Sequence, residues 1–150
     1  MVANMKIPTR VRYGLRFMIE LAAHYGKELV FLKNIARSQG ISEKYLSQIV
    51  IDLKTANLID GFRGAHGGYV LVRAPAEISV HDIFIVLEGD LTLVDNAQNP
   101  ALCSKALNCV SQEVWDKLGQ VMTGTLKAIS LADLLERRQE KSQEFAMYYI

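Results

Sequence analysis

Two stretches of the sequence carry side chains that could do chemistry. The first is RGAHGGYVLVR, residues 63–73, where three glycines and a histidine follow one arginine and precede another. Exposed backbone N–H groups and flanking guanidinium groups can bind anionic oxygens. The second is NAQNPALCSKALNCVSQEVW, which contains Cys103 and Cys109, the chain's two cysteines. Thiolates six residues apart can bind soft metals or be oxidised to a disulfide.

Several other chemistries do not match these patterns. A nucleotide-binding loop needs glycines followed by Lys and Ser or Thr, whereas Tyr-Val-Leu-Val follows here. His24, His66 and His81 have no spacing typical of metal ligands. The chain has no Cys-x-x-Cys motif and no obvious nucleophile with a base, so a dithiol reductase is a weak alternative and we expect no enzyme. The glycines also fit a plain surface hairpin.

Composition indicates what kind of protein holds these residues. The chain has 150 residues, of which 50% are hydrophobic, and this is enough to bury one core. The N-terminal residues have no apolar segment of signal-peptide length, and no apolar run is long enough to cross a membrane. With only two cysteines, we expect a cytoplasmic protein with reduced thiols and no membrane partner.

Charge is distributed unevenly although the net charge is only +1. Residues 1–75 hold eleven Lys and Arg against five Asp and Glu, and residues 76–150 hold six against eleven. The halves therefore carry +6 and −5, which favours an anion-binding N-terminal part, although chance could also produce such a split.

Apolar periodicity predicts three helices in the basic half. The first follows Thr9, a candidate N-cap, and stops near Gly26; the second spans 32–39 and ends at Gly40. Ser42 is expected to cap the third, whose buried stripe comprises Leu46, Ile49, Val50 and Leu53. An extended piece at Val30 precedes the second helix. Two helices joined by a glycine turn are typical of a helix-turn-helix.

A strand at 59–63, a glycine connection and a strand at 69–72 follow directly, which predicts a winged helix. The third helix would enter the major groove of DNA, while the wing and Arg63 would reach backbone or a narrow minor groove. A merely solvated helix face remains an alternative for its polar residues. The candidate DNA contacts are Arg10, Arg12, Lys33, Ser42, Lys44, Tyr45, Ser47, Gln48, Arg63, Gly64, His66, Gly67 and Arg73.

These residues also carry a resemblance. Tyr45-Leu46, the run Arg-Gly-x-x-Gly-Gly-Tyr at 63–69 and Glu88-Gly89 resemble the winged-helix regulator family that includes the iron-sulfur cluster regulator IscR, NsrR and CymR. The resemblance is dense over about residues 6–90. It implies a homodimeric bacterial transcription regulator acting on a roughly palindromic operator, and we expect this regulator to be a repressor. Ser47 stands where IscR-like proteins can have a glutamate that discriminates between sequences, so the preferred operator is open.

The acidic half predicts a dimerisation segment. From Ser111 an apolar stripe runs along one long helix, and the resemblance favours burial of this stripe against a second copy rather than on its own domain. We therefore expect a mainly α fold with a small hairpin, divided into a winged-helix domain at 1–90, a sensor loop at 91–110 and a dimerisation helix with a tail at 111–150. The stripe comprises Val114, Trp115, Leu118, Val121, Met122, Leu126 and Ile129.

The resemblance also bears on the cysteines. Family members with a [2Fe-2S] cluster have three cysteines in this loop and often a histidine three residues beyond. Cys103 and Cys109 match the second and third cysteines, while Asn96 or Ala97 replaces the first and Gln112 replaces the histidine. Three interpretations stay open: a cluster completed by Asp95, Glu113 or a partner protomer, a redox-active thiol pair, and no sensing. A winged helix that binds proteins instead of DNA is the alternative function, and it usually lacks such a cationic face.

Overall fold

The structure is a computed structural model that describes residues 5–64, 67–91, 93 and 106–148. It is mainly helical, with one antiparallel hairpin, as predicted. Ala65, His66, Asp95, Asn96, Ala97 and Cys103 lie outside the described residues. The elements are α1 (Thr9–Ala23), α2 (Leu32–Gln39), α3 (Glu43–Thr55), β1 (Ile59–Phe62), β2 (Gly68–Leu71), α4 (Val80–Glu88), α5 (Ala106–Lys127) and α6 (Leu131–Tyr148), with a 3-10 turn at Pro75–Glu77.

The helix ends follow local signals. Thr9 was predicted as the N-cap of α1, but Pro8 takes that place, because its carbonyl accepts hydrogen bonds from the N–H groups of Val11 and Arg12. Gly40 ends α2 in the left-handed region with φ 66°, as glycine allows without strain. The Ser42 hydroxyl accepts from the Tyr45 N–H at 3.0 Å, which confirms the predicted cap of α3.

The wing is a two-stranded hairpin with a third short partner. Ile59 faces Leu71 and Phe62 faces Gly68, so the first strand is one residue shorter than predicted and the second lies one residue earlier. Val30 adds an isolated bridge to Tyr69, and the two backbone N–H···O bonds measure 3.0 and 2.8 Å. The predicted extended piece at Val30 therefore anchors the wing to the segment before α2.

The core forms around α1. Phe17, Met18 and Leu21 of α1 are fully buried and lie in one cluster with apolar side chains of α3 and α4. The predicted stripe of α3 is buried as expected. The cluster includes Leu46, Ile49, Val50, Leu53, Ile83, Leu87 and Leu131.

The C-terminal part differs from the single long helix that the stripe predicted. α5 begins at Ala106, earlier than Ser111, and ends at Lys127, while α6 starts at Leu131 and packs against α1. The break arises because the backbone at 129–131 pairs with the start of α4: Val80 N–H donates to Ile129 O and Leu131 N–H to Ile78 O, both at 2.9 Å. No helix among the described residues is long and apolar enough to cross a membrane.

Candidate nucleic-acid interface

The first turn of α3 presents polar side chains to solvent. Ser42, Lys44 and Gln48 are exposed, and the buried Leu46 and Ile49 fix which face of the helix points outward. A helix start that carries an amine and an amide can meet phosphates and base edges in the major groove. The structure therefore brings three of the predicted contacts to one exposed helix end.

Two other predicted residues of α3 are engaged within the protein. Tyr45 is half-buried, and its ring meets that of Tyr13 edge to face, with centroids 6.0 Å apart. The Ser47 hydroxyl donates to the carbonyl of Lys44 at 2.7 Å. The Tyr45 ring thus helps to hold α3 on α1, and the Ser47 oxygen keeps only its acceptor capacity for DNA.

The base of the wing is built on close backbone contacts. Gly67 N–H donates to Gly64 O at 3.0 Å, and Gly64 has φ 107°, which favours glycine. A Cβ on Gly67 would overlap the carbonyl oxygen of Phe62, so no larger residue fits there without movement. Arg63 and Gly64 are exposed, whereas Gly67 is buried, and His66 lies outside the described residues.

The cations predicted to contact DNA have different surroundings. Lys33 on α2 and Arg73 after β2 are exposed, and exposed Arg12 donates to the Thr9 hydroxyl at 3.2 Å. Arg10, in contrast, is half-buried and forms an ion pair with Asp52 of α3. Arg10 therefore has less free charge for a phosphate than its neighbours.

Comparison with known proteins agrees with this architecture. The model of the Rrf2 family, described as "Iron-dependent Transcriptional regulator", matches residues 7–137. The chain belongs to the Rrf2 family. The regulator CymR of Bacillus subtilis (strain 168) is 38% identical over 148 residues, covering 97% of this chain and 100% of the relative. These two matches show that the protein is a DNA-binding transcription regulator.

Two solved structures show the same fold. CymR (YrzC), described as the global cysteine regulator of B. subtilis, superposes with TM-score 0.75 at 38% identity, covering 89% of this chain and 98% of that one. IscR of T. potens superposes with TM-score 0.74 at 38% identity, covering 92% and 91%. The resemblance and the winged-helix fold predicted from the sequence are thereby confirmed.

The Rrf2 description raises the question of an iron site, and the described donors do not form one. Cys109 is half-buried in the first turn of α5, and Glu113 is exposed one turn beyond. The Gln112 amide donates to Asp116 at 3.0 Å and supplies no thiolate or imidazole. Among the described residues no three His, Cys, Asp or Glu side chains are grouped as metal ligands. Two thiolates, one of them outside the described residues, fall short of four cluster ligands.

The predicted dimerisation stripe divides into two parts. Val114, Trp115, Leu118 and Val121 of α5 are exposed, with exposed fractions of 56, 45, 38 and 58%. Leu126 instead packs against the core of its own chain, and half-buried Ile129 lies in the backbone pairing with Val80. Met122 is half-buried. The exposed part of the stripe therefore comprises Val114, Trp115, Leu118 and Val121.

Sequence reasoning missed two features of this Rrf2 protein. Asp52 was not singled out, although it is the only acid between Glu43 and Asp60 and follows an exposed isoleucine. Gly14 was treated as part of a generic helix, although it is buried where α1 meets α3 and α4. A glycine inside an otherwise regular amphipathic helix was the signal for a close helix contact.

Proposed function

We propose that the protein is a homodimeric repressor that acts in the cytoplasm by covering a pseudo-palindromic operator. The observation that carries the proposal is the row of exposed apolar side chains on α5. Val110, Val114, Leu118 and Val121 recur at spacings of four, four and three, which is the spacing of a helix seam. A second copy would cover this row and place two α3 helices about 34 Å apart, one DNA turn.

Each described contact has a chemical role in this proposal. Lys44 and Gln48 read base edges, because an amide can pair bidentately with adenine and an amine can approach guanine or phosphate. Lys33, Arg12 and Arg73 neutralise phosphates, and Arg63 enters a narrow minor groove. The exposure of all six side chains supports these assignments.

The first test is salt-dependent binding to a duplex selected from random sequences by repeated rounds of binding. If a dimer neutralises about 6 to 10 phosphates, the slope of log affinity against log salt is about −5 to −9. Gln48→Ala is expected to relax preference at one position of each half-site, whereas Lys33→Ala weakens all sequences alike. Salt-insensitive binding, or failure of the wild-type protein to select any duplex, contradicts the proposal.

Arg63 has its own test. Arg63→Ala is expected to weaken binding most on duplexes with narrow A·T minor grooves flanking the half-site, because such grooves concentrate negative potential. Replacing the flanks by G·C pairs gives the matched control. An equal loss on both duplexes would show that Arg63 contacts phosphate alone.

Dimerisation is tested by sedimentation equilibrium. Val114→Glu on α5 is expected to give monomers at concentrations where the wild type is dimeric, because a carboxylate would be buried in the seam. Ile51→Glu is the control, since Ile51 is exposed to a similar extent, 62% against 56%, but lies on α3. Monomeric wild-type protein would overturn the proposed assembly.

For the signal, we propose that Cys103 and Cys109 act as a thiol pair rather than as cluster ligands. Support comes from the donor set, which offers two thiolates and a glutamine at the place of the family's histidine. Oxidation by a low-molecular-weight disulfide would join them and change operator affinity; Cys109→Ser would abolish the change. Protein purified without oxygen that contains stoichiometric iron and sulfide, with a visible absorption band, would favour the cluster instead.

A further inference from the structure

Three contacts form a seam between α1 and the recognition helix α3. Tyr13 meets Tyr45, Gly14 faces Ile49, and Arg10 pairs with Asp52. Positions 10, 13 and 14 lie on one face of α1, and positions 45, 49 and 52 lie on one face of α3. The ion pair lies near the N-terminal end of α1 and the C-terminal end of α3, whereas Tyr45 lies near the N-terminal end of α3.

The ion pair differs from the other two contacts in its exposure and charge. Its side chains are 40% and 42% exposed, so water reaches both of them. An unpaired carboxylate on a DNA-facing helix would repel phosphates, and an unpaired arginine would attract them without regard to sequence. Because each group neutralises the other, the paired side chains neither repel phosphates nor attract them without regard to sequence.

The ion pair lies on the opposite side of Ile49 from Lys44, which is at the N-terminal end of α3 that is proposed to contact DNA. With a rise of about 1.5 Å per residue, Asp52 lies about 4.5 Å beyond Ile49 along the helix, and Lys44 lies about 7.5 Å on the other side. Ile49 is buried between these two positions and lies against α1 at Gly14. If α3 tilts about Ile49, a displacement at Asp52 is accompanied by an opposite displacement at Lys44.

We propose that Arg10 and Asp52 are a pair of positioning residues that set the tilt of α3, and that Arg10 makes no phosphate contact. Base-edge hydrogen bonds need a fixed helix angle, whereas phosphate contacts tolerate small rotations, so the pair determines discrimination between operator and random DNA. The inference rests on the DNA contacts proposed above for α3. It replaces the prediction from sequence that Arg10 binds DNA.

The test compares affinities for the selected operator duplex and for a random duplex, by fluorescence anisotropy over a range of salt. Arg10→Gln is expected to lower the ratio of operator to random affinity about fivefold, since an exposed ion pair contributes little in each protomer. In R10Q/D52N, which removes both charges, the salt slope on random DNA stays that of the wild type. Arg12→Gln is the control, and it reduces the magnitude of that slope by about 0.9 for each phosphate that is no longer neutralised.

Three further variants separate positioning from charge. Asp52→Asn is expected to lower the same ratio, and its random-DNA slope steepens because Arg10 is released. The double variant R10Q/D52N loses no more discrimination than R10Q, and the exchange R10E/D52R recovers at least half of the wild-type ratio on a logarithmic scale. Circular dichroism spectra that match the wild type show that each variant is folded.

Two results overturn the inference. If R10Q/D52N flattens the salt slope as Arg12→Gln does, Arg10 contacts phosphate. If all four variants discriminate like the wild type, the pair does not position α3. Failure of the wild-type protein to bind the operator with a steep salt slope is a separate outcome, which refutes the proposed DNA contacts themselves.

Discussion

Gly14 allows α1 to approach α3 and α4, and its replacement by alanine tests the packing argument. Gly14 is buried on α1, and a Cβ there would overlap the Cδ1 atom of Leu87 and lie 3.4 Å from Cγ2 of Ile49. Leu87 is itself only 4% exposed, so its side chain cannot turn into solvent. The alanine methyl group therefore forces a shift within the core.

Two opposing terms set the size of the effect. Alanine inside a helix is favoured over glycine by about 0.5 to 1 kcal/mol. Overpacking a filled core costs about 1 to 3 kcal/mol. The net expectation is a loss of about 1 kcal/mol in the free energy of unfolding, or a fall in Tm of about 2 to 4 °C for a chain of this size.

Urea unfolding followed by circular dichroism, at one fixed protein concentration because association would add to apparent stability, measures this change. Leu87→Val removes the overlapping methyl group, so Gly14→Ala in that background is expected to be neutral or stabilising. The coupling between the two positions should reach at least about 0.5 kcal/mol, as for residues in contact. A stabilising Gly14→Ala in the wild-type background, or additive effects of the two changes, would refute the close contact.

Two further predictions concern helix ends. Hydrogen bonds from the backbone N–H and then the hydroxyl of Ser130 hold the pKa of Asp133 below its ordinary 3.8, so the cap of α6 stabilises the fold at neutral pH and loses this contribution as the pH falls below about 4. The stability difference between wild type and Asp133→Asn, measured by thermal unfolding, should therefore shrink on acidification; a constant difference from pH 7 to pH 3 contradicts this. Asn57 follows α3 with φ 62°, so Asn57→Ala is expected to lose about 1 kcal/mol while Asn57→Gly is nearly neutral in urea unfolding; equal losses in both variants would show that the backbone conformation is not the cause.

The DNA-binding half could be predicted from sequence because its signals are local. Gly40 and Ser42 mark helix boundaries through their own backbone or hydroxyl chemistry, and the structure has each of them in that role. The glycine connection between two short strand segments likewise predicted the hairpin. Such signals do not depend on contacts with residues far away in the sequence, so they can be recognised from a few neighbouring residues.

The remaining features depend on contacts between distant residues. The pairing of Asp52 with Arg10 spans 42 positions, and the break between α5 and α6 depends on backbone bonds to residues 78–80. The apolar spacing through Leu126 and Ile129 continues past this break, so periodicity alone predicted one helix. Register with another segment, rather than local propensity, decided where the helix ends.

This pairing also constrains how a signal near Cys109 can reach the DNA. Ile129 and Leu131 hydrogen-bond to Val80 and Ile78, and the two serines between them, Ser79 and Ser130, each accept from a helix N–H: Asp82 for α4 and Asp133 for α6. The starts of α4 and α6 are therefore one structural unit. α4 in turn packs against α1 and α3. In the proposed dimer, a movement of α5 that leaves this unit intact would change the spacing of the two protomers without changing the tilt of α3. Oxidation should then alter preference for half-site spacing more than preference for half-site sequence. The test measures binding of oxidised and reduced protein to operators whose half-sites differ by one base pair in spacing. If both forms respond equally to spacing, oxidation does not act through the distance between the protomers.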